Sequence, residues 1–149
     1  SVIPNFMWKA MHGEPITITG TGDETRPFTY VEDLVEGTIA AMEKSPLACV
    51  ENHYSLPIDE EDNLIYNIGT EKVVSMKELA EKVNALCGGK SDIVYVPRRD
   101  WDVVPHRPVD AGKARRVLGH EARVDIDEGL ARTYAWFMSD GFNRNRVDF

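Results

Sequence analysis

The sequence predicts a small α/β domain, and three observations carry that reading. Short β-branched or apolar runs at 16–19, 28–31, 64–68 and 93–96 alternate with stretches of helical spacing, no internal repeat interrupts the alternation, and 149 residues at 42% hydrophobic and 28% charged suffice for one modest core. No linker divides the chain, so residues 1–149 read as a single domain.

The opening, Ser1-Val2-Ile3-Pro4-Asn5, runs straight into the helical-looking FMWKAM with no strand or leader before it, and reads as a start in mid-fold. His12-Gly13-Glu14-Pro15 breaks that helix, and Ile16-Thr17-Ile18-Thr19 is a strand closed by a turn at Gly20, Gly22 and Asp23. A second short strand is expected at 28–31. Glu32 or Asp33 then opens a helix with Val31, Leu34, Val35, Ile39 and Met42 at helical spacing, ending near Ser45-Pro46. Residues 47–63 contain Pro57 and the acidic run Asp59-Glu60-Glu61-Asp62, and read as a surface excursion, since the alternating ligands and central glycine of a calcium loop are missing.

A strand is expected at 64–68. Ser75-Met76-Lys77-Glu78 fits a capping box before a helix lined by Leu79, Val83 and Leu86 and stopped by Gly88-Gly89. After the strand at 93–96, Asp110 is placed to cap a short helix through Ala114, Val117 and Leu118 to Gly119. Asp125 with Glu128 starts a last helix carrying Ile126, Leu130, Tyr134, Phe137 and Met138, followed by a loosely held tail at 141–149.

The net charge of −8 argues against a nucleic-acid or acidic-membrane partner. With no signal peptide and no apolar run of spanning length, the expected location is the cytoplasm, and Cys49 and Cys87 are expected as reduced thiols. Residues 98–116 are locally positive, with six basic against three acidic residues, which leaves room for a small anionic ligand. His12, His53, His106 and His120 are scattered, without zinc spacing, so no metal is expected. Gly20-Thr21-Gly22 has no third glycine and no apolar helix after it, so it reads as a turn and not as a dinucleotide fingerprint. Arg26 and the Arg98-Arg99 pair, if they converge from separate loops, suit a phosphate or diphosphate, because a guanidinium presents a planar fork to its oxygens, although each arginine taken alone is more often a surface ion-pair partner.

Around these arginines, Gly13-Glu14-Pro15-Ile16-Thr17-Ile18-Thr19-Gly20 and Thr25-Arg26-Pro27-Phe28-Thr29-Tyr30-Val31-Glu32-Asp33 resemble the C-terminal region of the extended short-chain dehydrogenases, the NAD-dependent epimerases and dehydratases. Tyr66-Asn67-Ile68-Gly69, Val74 to Ala80, Pro97-Arg98-Arg99 with Asp102, Asp110 through Gly119, and Glu128-Gly129-Leu130 with Trp136-Phe137 agree in the same order. The resemblance implies the small substrate-binding domain of an enzyme whose NAD sits in a separate N-terminal Rossmann domain, so no cofactor is expected on this chain. It implies a nucleotide-sugar, UDP-sugar ligand. A reaction like that of UDP-glucose 4-epimerase comes first, with UDP-glucuronate decarboxylation or nucleotide-sugar dehydration as alternatives and a stand-alone, non-catalytic nucleotide-binding module as the reading from another class. A homodimer is left open for the complete enzyme.

No catalytic residue is assigned, because the family's Tyr-x-x-x-Lys pair has no counterpart: Tyr30 is followed four places on by Leu34 and Tyr66 by Thr70. Carried over by position, Arg26 and Arg99 resemble the diphosphate-gripping arginines. Thr17, Ile18 and Thr19 resemble the strand that lies along the base, Asn5 and Phe6 the helix start over the nucleotide, and His106 a residue that reaches toward it. A core strand, an N-cap, a core aromatic and an exposed loop histidine are the respective bland alternatives. Pro27, Trp101 and the long 47–63 excursion depart from the family pattern and leave the sugar open.

Overall fold

Helix α1, Val2–His12, opens the chain, with Pro4 in its first turn, where a missing amide hydrogen removes no helical bond. Gly13, at φ 68°, ends it: the Gly13 amide donates to the Ala10 carbonyl (3.3 Å) and the Glu14 amide to the Lys9 carbonyl (2.9 Å), a paired closure that needs the left-handed residue between them. The computed structural model describes residues 1–44, 65–98, 100 and 104–139. The expectations for 47–63, Cys49, Arg99, Trp101, Asp102 and the tail fall outside them.

The chain divides into two compact units that interleave along the sequence. The first takes residues 1–26, 73–107 and 125–149. In it, strand β1, Ile16–Thr19, runs parallel to β4, Ile93–Val96, in the register Ile16↔Ile93 to Thr19↔Val96. Ile16 and Ile18 are buried on alternate positions, as a strand with one covered face requires. Strand β2, Thr25–Arg26, pairs antiparallel with β3, Val74–Ser75.

Helix α3, Met76–Leu86, begins where Ser75 Oγ accepts the Glu78 amide at 3.1 Å, as the capping pattern predicts. Asn84 then holds Ser91 through both amide atoms (2.8 and 3.1 Å), turning the chain from α3 into β4. Helix α4, Ile126–Met138, is capped by Asp125, whose Oδ1 accepts the Glu128 amide at 2.9 Å, and is tied to α3 by the Lys82–Asp127 ion pair at 2.7 Å. Phe6, Met7, Ala10, Ile16, Ile18, Leu79, Ala80, Val83, Leu130 and Phe137 fill this unit's core.

The second unit takes residues 27–72 and 108–124. Its helix α2, Val31–Lys44, meets a π-helical turn at Ala114–Leu118, and the Lys44 ammonium donates to the Leu118 carbonyl at 3.0 Å. Asp33 is buried and does not cap α2; its carboxylate accepts the Arg123 and Val124 amides, each at 3.0 Å. Gly37 lies so close to Ile68 and His120 that a Cβ there would sit 2.4 Å from Ile68 Cγ2 and 2.8 Å from His120 Nε2. Glu71 accepts the Ala111 amide and pairs with Arg115, both at 3.0 Å.

Three expectations need correction. The second strand is at Thr25–Arg26 and not at 28–31, because Pro27 has no amide hydrogen to continue the ladder with β3. Residues 65–68 are not a strand: Asn67 donates its side-chain amide to the Asp110 carbonyl (3.1 Å), and no ladder partner lies beside this run among the described residues. The apolar stripe of α2 does not face the unit's interior, and its residues stand exposed. No described helix is long and apolar enough to cross a membrane.

Candidate functional site

A cavity of about 140 Å³ opens in the first unit, between α1, β1, the loop after it and the start of α3. Val2, Phe6, Thr17, Ile18, Thr19, Glu24, Arg26 and Met76 line it. Apolar walls come from both helices and Ile18, and the polar groups sit on β1 and on the segment leading to β2. That is the composition of a ligand pocket, a mostly apolar surface with a few placed polar groups. Its volume is below the roughly 300–1,000 Å³ of a complete small-molecule site, so it suits one portion of a larger ligand.

β1 presents backbone as well as side chains. The Ile16 amide donates to the Asp92 carbonyl (2.8 Å) and the Gly20 amide to the Val96 carbonyl (2.9 Å), so residues 16, 18 and 20 face β4. Peptide groups alternate along a strand, which turns the amides and carbonyls of Thr17 and Thr19 to the opposite edge. An adjacent donor and acceptor on a strand edge match the edge of a planar, hydrogen-bonding base.

The turn from Gly20 to Glu24 sets the floor. Gly20 and Gly22 take φ of 91° and 86°, and Glu24 folds back beneath them so that its Oε2 accepts the Gly22 amide at 3.0 Å. The φ of Gly20 lies in the region that favours glycine, and a Cβ there would in addition displace Glu24 Oε1, which it would meet at 2.3 Å. The same turn is anchored to α3, since the Glu24 and Gly22 carbonyls accept the Met76 and Lys77 amides, each at 2.9 Å. Glu24 is a cavity residue that sequence reasoning missed, and its place between two turn glycines and Arg26 was the available signal.

The ligand residues expected from sequence fall into three groups. Phe6, Thr17, Ile18, Thr19 and Arg26 come together on the cavity wall. Asn5 and His106 are not among its lining: Asn5 is a half-buried interior residue of α1 and not an N-cap, and exposed His106 places Nδ1 2.9 Å from Thr25 Oγ1. Arg99 lies outside the described residues.

Arg26 is held more tightly than a simple ligand arginine needs. Its Nη1 donates to the Thr25 and Pro105 carbonyls (2.8 and 2.9 Å) and its Nη2 to the Val104 carbonyl (3.0 Å). A guanidinium has five donors, and these bonds engage three of them in fastening residues 104–105 to β2.

The turn at Gly20 and Gly22 is not a dinucleotide fingerprint, since such a glycine-rich turn feeds a helix N-terminus, whereas Gly20 and Gly22 feed the two-residue strand β2. Among the described residues no group of three His, Cys, Asp or Glu side chains could hold a metal ion. Burial pushes the Cys87 thiol up, away from the reactive thiolate.

Comparison with known proteins places this fold. Residues 1–69 match the model of the NAD dependent epimerase/dehydratase family. UDP-N-acetyl-alpha-D-glucosaminuronate decarboxylase from Bacillus cytotoxicus is 33% identical over 141 residues, 91% of this chain and 39% of that protein. UDP-glucuronic acid decarboxylase 1 from Danio rerio is 32% identical over 139 residues, 93% of this chain and 29% of that protein. The crystal structure of a UDP-glucose 4-epimerase with UDP-glucose, from Thermotoga maritima, superposes with a TM-score of 0.77 at 31% identity, over 92% of this chain and 39% of that one. The chain thus spans about two fifths or less of the length of these relatives. An α/β fold shared with part of such an enzyme, and sequence identity running through nearly all of the chain, identify it as part of an NAD-dependent epimerase/dehydratase family protein.

Proposed function

We propose that this chain is the nucleotide-sugar-binding portion of an NAD-dependent decarboxylase acting on a UDP-linked uronic acid. The observation that carries the reading is the cavity, whose lining brings together residues identified from the resemblance, Phe6, Thr17, Ile18, Thr19 and Arg26, from three elements. The strand edge at Thr17 and Thr19 takes the base, and Phe6 and Ile18 supply apolar surface to its faces. Arg26 contributes positive charge and secures residues 104–105 beside the ligand. Thr25 fixes His106 at the same edge. The role of these groups is to bind and orient, since a ligand held in one geometry reacts at an advantage over one that tumbles. The family description supplies the NAD dependence, and hydride transfer at the sugar is the chemistry the cofactor brings.

The decarboxylase reading is favoured over the epimerase reading because the curated relatives above are named as UDP-uronate decarboxylases. Epimerisation of UDP-glucose is the second reading, supported by the 0.77 superposition on the epimerase with UDP-glucose. Incubating the full-length protein with NAD and UDP-glucuronate, and in parallel with UDP-glucose, separates them. CO2 release with a UDP-pentose product supports the first, and UDP-galactose formation puts the second in its place. UDP binding without turnover of either sugar would favour a non-catalytic module, and no UDP binding would remove the reading altogether.

A further inference from the structure

We propose that Lys9 is a ligand-facing cation of this cavity, taking an anionic oxygen of the nucleotide's diphosphate. The inference deepens the function proposed above and rests on it for the identity of the ligand. On α1, Val2, Phe6 and Lys9 are spaced i, i+4 and i+7 and therefore share one face. Val2 and Phe6 line the cavity; Lys9 is not itself among the lining residues and stands at its rim, one turn farther along the same stripe. Its ammonium donates to Thr17 Oγ1 at 3.0 Å, on the strand that forms the adjoining wall.

The electrostatics make this lysine unusual. It is half-buried, and among the described residues it makes no ion pair; the one hydrogen bond of its side chain goes to a neutral hydroxyl. An ammonium has three donors, so two remain. A partly desolvated cation with donors to spare favours an anion, because the interaction is strengthened where water is partly excluded.

Charge balance points the same way. The lining contains one cation, Arg26, and one carboxylate, Glu24, which offset each other. Arg26 directs three donors to backbone carbonyls, and Glu24 directs an oxygen to the Gly22 amide. Lys9, beside the lining and bonded to Thr17, makes the cavity with its rim net positive, the sign that an anionic ligand requires.

The test is a calorimetric titration of the full-length protein and its Lys9→Met and Lys9→Arg variants with UDP and, separately, with uridine. Lys9→Met should weaken UDP by about tenfold or more, the effect of losing a charged hydrogen bond, and leave uridine within about twofold, while Lys9→Arg should restore most of the UDP affinity. UDP affinity unchanged in Lys9→Met, with wild-type protein binding UDP more tightly than uridine, would overturn the inference and leave the function reading intact. Equal weakening of UDP and uridine would also overturn it, by making Lys9 a structural tether of α1 to β1. Wild-type protein that binds UDP no better than uridine would remove the diphosphate reading and Lys9 with it.

Discussion

Helices α1 and α2 are both amphipathic, yet they turn their apolar stripes in opposite directions. In α1 the stripe faces inward: Phe6, Met7 and Ala10 are buried, Met7 completely, and Phe6 goes on to line the cavity. In α2 the residues that pack are Asp33 and Gly37, whereas Val31, Leu34, Val35, Ile39 and Met42 stand 46 to 73% exposed. Helix α1 therefore holds its unit by apolar burial, whereas α2 contributes close backbone approach and hydrogen bonds to a unit whose buried apolar residues, Ala111, Ala114 and Leu118, come from the segment it meets. Periodicity reports that a helix has two faces, and it does not report which face finds a partner.

The largest expected effect is on the inward stripe. Met7→Ala should destabilise the first unit by about 2–5 kcal/mol, the range for emptying a fully buried site, measured by urea denaturation. Gly37→Ala comes next. Overpacking against Ile68 and His120 costs about 1–3 kcal/mol, opposed by about 1 kcal/mol of improved helix propensity, so a net loss is expected in the same assay. A neutral or stabilising result would mean that the helix can retreat, and that close approach at Gly37 is not what holds the second unit.

Met42→Ser, on the outward stripe, should change stability by no more than about 0.5 kcal/mol, as at an exposed site. A loss comparable to Met7→Ala would break the contrast, by showing that the stripe is covered in the folded protein. The smallest effect is electrostatic. The Ala111 amide and the Arg115 guanidinium hold the Glu71 carboxyl below its ordinary value of 4.5. A depressed carboxylate stabilises the fold above its unfolded value, and that contribution is lost as pH falls through the lower folded value. Glu71→Gln should thus flatten the acid side of the stability profile below pH 4.5 and leave its alkaline side unchanged.

What could be read in the sequence follows the range of the interactions. The caps at Ser75 and Asp125, the closure at Gly13 and the strand at 16–19 are set by neighbours a few residues away, and all were legible. The strand expected at 28–31 was misplaced because its true partner, Val74–Ser75, is distant in sequence while Pro27 acts locally. The interleaving of the two units was not legible, since the chain passes between them without a flexible or polar linker.

The site divides along the same line. The resemblance brought Phe6, Thr17, Ile18, Thr19 and Arg26 to one cavity, because co-linear blocks carry the fold's long-range geometry with them. It did not reveal that Arg26 is fastened to carbonyls 78 and 79 residues away, nor that Glu24 closes the floor. Lys9 gave no signal in the sequence. The role proposed for it rests on its hydrogen bond to Thr17 on a second element, and on a helix pattern alone it reads as an ordinary solvated lysine.

A crystal structure of the full-length protein with UDP decides whether the α1–β1 cavity is the nucleotide site. The base is expected against the Thr17–Thr19 edge beside Phe6, with a phosphate oxygen within hydrogen-bonding reach of Lys9 Nζ. UDP bound elsewhere, with this cavity empty or filled by solvent, would contradict that assignment.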